Sequence, residues 1–153
     1  MFNIVLFQPE IPANTGNLIR LAANTGCRLH LIAPLGFSLD EKSVRRSGLD
    51  YHELADLTVH ESWQAAREAL SDENWYAFTT KATSLYSETN FQPGDVLLFG
   101  PETRGLPPDV LAEFEDANKL KLPMRPGNRS MNLANTVSAT VFEAWRQNGF
   151  SGA

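Results

Sequence analysis

Six short apolar runs, separated by helix-like stretches, constrain this chain more than any other feature. They are NIVLF (3–7), RLHLIA (28–33), DLTVH (56–60), WYAFTT (75–80), DVLLFG (95–100) and KLKLP (119–123). Several are almost continuously hydrophobic, as strands covered on both faces should be. Between them lie NTGNLIRLAANTG, DEKSVRRSG, ESWQAAREALS and PPDVLAEF. This alternation predicts an α/β fold: a mainly parallel sheet flanked by helices. Asn14 or Thr15 is the expected N-cap of the first helix and Gly26 its stop. Ser62 or the preceding turn starts the third, whose apolar positions are Trp63, Ala66 and Leu70. No repeat, low-complexity tract or linker breaks the pattern, so residues 1–153 are expected to form a single domain.

Composition narrows the function classes. There is no apolar run of about 18 residues, so no membrane-spanning helix is expected. The opening MFNIVLFQPEIP lacks a basic n-region and a small-residue cleavage site, so no signal peptide is expected. Cys27 is the only cysteine; it excludes an internal disulfide and fits a reducing cytoplasm, with burial as a small hydrophobe its plainest role. A formal charge of −5 weighs against a generally nucleic-acid-binding surface, although local patches decide. Positive charge does gather at Lys42, Arg45 and Arg46 and again at Arg125 and Arg129. Taken alone, each group also reads as a solvated face.

Ligands of open parallel sheets bind beyond the carboxyl ends of the strands, so the loops leaving them carry the information. QPEIPANTGNLIR (8–20) is neither a dinucleotide fingerprint nor a P-loop; two prolines stiffen it before Asn14, Gly16 and Asn17, with Arg20 one turn further on. LLFGPETRGLPP (97–108) sets Glu102 and Arg104 on a stiff loop between Gly100 and Gly105. That pair reads either as a local ion pair or as part of a loop shaped around a small molecule, which the glycines would let approach closely. In PMRPGNRSMN (123–132), Asn128, Arg129, Ser130 and Asn132 crowd the start of the last helix. Ser130 alone would cap it, so the surplus points to a binding site at an end that attracts anions and acceptors. Leu133, Val137, Val141 and Trp145 then form a core stripe, with Ala134, Ser138 and Ala139 small enough for close approach.

Familiar catalytic sets are missing. There is no G-x-S-x-G and no H-E-x-x-H, and His30, His52 and His60 are scattered, which suits structural roles. No Cys/His/Asp cluster has metal-ligand spacing, so no metal is expected. Chemistry here falls to Arg, Glu, Ser, Asn and a bound cofactor.

Taken together, NTGNLIR, LLFGPETRGLP and LPMRPGNRSMNLANTVSATVFEAWRQ resemble the three motifs of the SPOUT superfamily of RNA methyltransferases. The likeness covers nearly the whole chain. It is strongest to the minimal TrmL (YibK-like) branch, the tRNA wobble-position 2′-O-ribose methyltransferases. The resemblance implies an α/β domain whose C-terminal segment threads a loop to make a deep trefoil knot. It implies S-adenosylmethionine bound at Phe78, Thr79, Gly100, Glu102, Gly105, Leu122, Met124, Ser130, Met131 and Asn132. It also implies a homodimer, tRNA as partner, no membrane association and a cytoplasmic location.

The same resemblance gives Arg20 the activating role, with Asn14, Glu102, Ser130 and Asn132 positioning substrate or cofactor. Arginine is a poor base, so Arg20 is expected to stabilise the developing alkoxide rather than remove a proton. The methyl donor is already activated and needs no metal. Arg20, Lys42, Arg45, Arg46, Lys81, Arg125 and Arg129 are the candidate RNA contacts, positioning the backbone without reading sequence. Two other readings remain at this level: a non-catalytic or differently targeted knotted RNA-binding protein, and a small-molecule enzyme of flavodoxin-like topology.

Overall fold

The structure, a computed structural model, describes residues 1–40, 46, 48, 49 and 56–153. The first apolar run is β1 (Asn3–Phe7), buried along its full length. Then follow α1 (Pro12–Thr25), β2 (Arg28–Ile32), β3 (Leu57–His60), α2 (Trp63–Ala69), β4 (Trp75–Phe78), β5 (Ser84–Leu85), β6 (Val96–Phe99), α3 (Pro108–Leu111), β7 (Lys119–Lys121) and α4 (Leu133–Gln147). Among the described residues, seven parallel strands form one sheet in the order β3-β2-β1-β6-β4-β7-β5. All six expected strands are present, some a residue or two shorter. The seventh, β5, has two residues, too few for a periodic signal. The helix expected over 40–48 falls almost wholly outside the described residues, as do Lys42, Arg45 and His52.

The period-two alternation of each strand sorts its side chains onto two faces. Ile4, Leu6, Leu29, Leu31, Leu97 and Phe99 meet Leu18 and Ile19 of α1 and Val137 and Val141 of α4. Val5, Phe7, Ile32, Val96 and Leu98 meet Ala66 of α2 and Val110 of α3 on the other side. Each fully buried side chain of this size contributes about 1.5–3 kcal/mol. Two filled faces explain why the strands read as continuous apolar runs.

Both helix starts that matter for function differ from expectation. Helix α1 begins at Pro12, its N-cap is Ile11 without a side-chain bond, and Asn14 and Thr15 are buried inside the first turn. Proline at the first position has no N–H to satisfy and a φ already suited to the helix, so the helix starts ahead of the polar residues. Gly26 ends it as expected, at φ 75° with its N–H on the Ala22 carbonyl. Helix α4 is capped by Asn132, not Ser130: Asn132 Oδ1 accepts from the Asn135 N–H at 3.2 Å. An amide can cap and donate at once, and Asn132 does both. Ser62 caps α2 as expected, accepting from the Ala65 N–H.

The histidines are not all scattered. His30 and His60, on neighbouring strands, stack at 5.2 Å and share a hydrogen bond of 3.0 Å between Nδ1 of His30 and Nε2 of His60. Nε2 of His30 meets Oδ1 of Asn3 at 3.1 Å, and the Asn3 Nδ2 donates to the Gly94 carbonyl. Asn3 Oδ1 must accept, so His30 carries its proton on Nε2 and His60 donates to Nδ1. Burial, followed by the neighbouring His60, pushes His30 down to about 4. The pair is a closed polar chain between β1, β2 and β3.

Candidate active site

The carboxyl ends of β4, β6 and β7 open on one side of the sheet, and the loops leaving them wall a cavity of about 260 Å³. Small-molecule sites start near this size, at roughly 300 Å³. Phe78 and Thr79 come from the end of β4, Gly100, Glu102 and Gly105 from the loop after β6, Leu122 and Met124 from the loop after β7, and Ser130 and Met131 from the approach to α4. The structure thus sets these nine sequence-predicted residues around one space. Phe99, Leu106, Leu120 and Leu133 complete its apolar floor, and Thr136 adds a hydroxyl.

Its electrostatic character follows from the charged groups in the wall. Lys81, Arg104 and Lys121 line it, and Glu102 is the one acid among the lining residues. Both Glu102 oxygens are engaged: Oε2 accepts from the Glu10 N–H at 2.8 Å and Oε1 from the Ile11 N–H at 3.1 Å. Glu102 therefore makes no ion pair with Arg104; it braces the start of α1. Of the two further lining cations, Arg104 belongs to the loop that the sequence offers either as an ion pair or as a small-molecule wall, and it stands in the wall; Lys121, within the KLKLP strand, carries no such sign in sequence.

Gly100 is required by the loop itself. A Cβ there would stand 2.4 Å from the Leu106 nitrogen and 2.5 Å from the Gly105 carbonyl carbon. The close approach expected of a ligand is thus made by the protein's own backbone. Gly105 has φ +70° and open space around it, with its N–H on the Pro101 carbonyl at 2.9 Å.

Of the remaining predicted residues, Lys81 lines this cavity, whereas Asn14, Arg20, Arg46, Arg125, Arg129 and Asn132 do not. Asn132 donates to Asn14 Oδ1 at 3.0 Å, tying α4 to α1. Arg20 lines a separate cleft on α1 together with Asn17, Phe37, Ser38 and Arg46, and its Nη2 donates to the Gly48 carbonyl at 3.0 Å. Lys81 is exposed at the cavity; Arg125 and Arg129 are exposed on the loop that leads to α4. Among the described residues, no three His, Cys, Asp or Glu side chains are grouped to hold a metal, and no helix is long and apolar enough to cross a membrane.

Comparison with known proteins gives this geometry its context. Residues 1–142 match the model of the SpoU rRNA Methylase family. A tRNA (cytidine(34)-2′-O)-methyltransferase of Methylovorus glucosotrophus is 56% identical over 153 residues, covering 100% of this chain and 99% of the relative. A solved structure concerned with the 2-OH methylation of C/U34 on tRNA superposes with a TM-score of 0.90 at 47% identity, covering 98% of this chain and 97% of the other. The SpoU methyltransferase AviRb of Streptomyces viridochromogenes, solved with AdoMet, aligns with a TM-score of 0.77 at 26% identity, covering 99% of this chain and 58% of that one. A parallel sheet flanked by helices, a cavity built by three strand-end loops and a match across most of the length agree: the chain belongs to the SpoU methylase family.

Proposed function

We propose that this protein is a tRNA 2′-O-ribose methyltransferase acting on the wobble nucleotide, cytidine or uridine 34, with S-adenosylmethionine as methyl donor. The observation that carries the reading is the single cavity walled by the loops of all three strand-end segments. Relatives named for this activity match end to end.

The residues present fit the cofactor. The floor of Phe78, Phe99, Leu106 and Leu120 suits a flat adenine ring, while Thr79, Ser130 and loop backbone offer partners for its ribose and amino-acid ends. Arg104 and Lys121 add charge suited to a carboxylate. When bound, the cofactor supplies a methyl group already activated on a sulfonium, which ends on the ribose oxygen.

What the chain must add is alignment and charge. Arginine is a poor base, so the part of Arg20 is to stabilise the negative charge growing on the 2′-oxygen as the proton leaves to water or phosphate. Asn14, held by Asn132, fixes the first turn of the helix that bears Arg20. Glu102 holds the two backbone N–H groups before that helix. Keeping the nucleophile in line in this way is worth several kcal/mol of barrier, about 7 or more in well-oriented systems.

Arg20 does not line its own protomer's cavity, and Phe142 stands 47% exposed on α4 beside Trp145 and Phe150. Both features support a homodimer in which α4 lies at the interface and Arg20 serves the partner's cavity. The sheet order supports a knotted C-terminal segment: β7 lies between β4 and β5, which precede it consecutively in the chain. Residues 1–153 act as one unit in the cytoplasm, where tRNA is processed. Arg46, Lys81, Arg125 and Arg129, with Lys42 and Arg45 from outside the described residues, take backbone phosphates.

The test supplies purified protein with isotope-labelled S-adenosylmethionine and unmodified total tRNA, then digests to nucleosides for mass spectrometry. Labelled 2′-O-methylcytidine or 2′-O-methyluridine is the expected product. Label on a base instead of a ribose would overturn the reaction; cofactor binding with no label would favour the non-catalytic alternative.

A further inference from the structure

Two loops distant in sequence hold each other through reciprocal carboxylates. Glu102 accepts the backbone N–H groups of Glu10 and Ile11, at 2.8 and 3.1 Å. Glu10 answers: its Oε1 accepts the Thr103 N–H at 3.1 Å and the Thr103 Oγ1–H at 2.7 Å. Four hydrogen bonds thus join residues 10–11 to residues 102–103, across more than 90 positions of chain.

The Glu10 side of this clasp is itself fixed. Gln8 turns the chain out of β1 at φ 46°, a left-handed conformation that costs a non-glycine residue about 1–2 kcal/mol. Its N–H is held by the Ile32 carbonyl at 3.0 Å, and the Gly36 N–H binds the Pro9 carbonyl at 2.9 Å. Gly36 packs so closely that a Cβ there would meet the Glu10 Cα at 2.9 Å. The Thr103 bonds, aided by Arg104, hold the Glu10 carboxyl below the usual carboxylate range, so it is ionised near neutral pH.

We propose that Glu10 is a positioning residue for methyl transfer: through Thr103 it sets the Gly100–Gly105 wall of the cavity against the start of α1, and so fixes the wall on which the cofactor rests. Glu102 alone leaves that loop held at one residue; Glu10 adds a second, adjacent point and so fixes its rotation. A pair of carboxylates each accepting from the backbone of the opposite loop is an arrangement neither loop needs for its own turn. The inference rests on the methyltransferase reading above.

The test compares Glu10→Ala, Glu10→Gln and wild type as full chains. Calorimetry with S-adenosylhomocysteine reads the cavity; steady-state transfer to a tRNA transcript reads kcat and KM; thermal melting checks folding. Glu10→Ala is expected to weaken S-adenosylhomocysteine at least about fivefold and lower kcat about tenfold or more, with KM for tRNA within about twofold. Glu10→Gln keeps an oxygen able to accept both Thr103 donors and is expected to restore both quantities to within about threefold of wild type. Wild-type affinity and kcat in Glu10→Ala, or Glu10→Gln as impaired as Glu10→Ala, would overturn the assignment. If wild type binds S-adenosylhomocysteine but methylates no tRNA, the reaction reading fails, and the calorimetric comparison still decides the clasp.

Discussion

Asn132 donates its side-chain N–H to Asn14 Oδ1 at 3.0 Å, joining residues 118 positions apart while its own Oδ1 caps α4. One side chain therefore fixes a helix start and docks it on the helix that carries Arg20. Asn132→Ala should cost about 1–2 kcal/mol in urea denaturation. Combined with Asn14→Ala in a double-mutant cycle, it should show a coupling of about 0.5–1.5 kcal/mol. Additive losses would mean that the contact contributes nothing beyond the cap.

The two glycines of the loop after β6 should respond unequally. Gly100→Ala drives a Cβ into the backbone of residues 105 and 106, and a loss of about 3 kcal/mol or more is expected, with cofactor affinity lost in parallel. Gly105→Ala meets open space and bears only the strain of its φ, about 1–2 kcal/mol. Thermal melting of both variants checks the order; equal losses would contradict it.

Stability should fall on mild acidification because of the His30–His60 pair. His30 is pushed down to about 4, first by burial and then by His60, while the unfolded histidine titrates near 6.5. Between those values the unfolded state binds the extra proton, so stability decreases as pH drops from about 6.5 toward 4, and this contribution levels off below. His60, lowered by burial, acts in the same direction. A loss on the order of 2 kcal/mol is expected across that window, read as a shift in the urea midpoint. In His30→Gln, whose amide can replace both ring bonds, the slope should flatten.

Arg20→Ala should abolish methylation, lowering kcat about 10²-fold or more, while leaving S-adenosylhomocysteine affinity nearly intact. The guanidinium lies in the α1 cleft with Arg46 and not in the cavity wall, so its removal leaves the cavity complete. Calorimetry showing affinity lost in parallel would assign Arg20 to the cavity's architecture instead.

Much of this is legible in the sequence. Buried parallel strands announce themselves as continuous apolar runs, and Gly26 and Ser62 occupy the stop and cap that their chemistry predicts. The nine residues now around one cavity came from motif resemblance, because no local pattern says that loops after β4, β6 and β7 converge. Capping chemistry misled at both ends of the site. Pro12 starts α1 ahead of the polar residues, and α4 is capped two residues past Ser130 by Asn132, which also has a partner in Asn14. The Glu10–Thr103 and His30–His60 pairings join distant segments, and neither partner carries a mark of the other in sequence.

The most direct measurement uses two tRNAs identical except that one has a 2′-deoxyribose at the wobble position. Each is incubated with the protein and labelled S-adenosylmethionine, and incorporated label is counted. The wobble-ribose assignment predicts stoichiometric label on the intact tRNA and none on the deoxy form. Equal label on both would place the methyl elsewhere and contradict it.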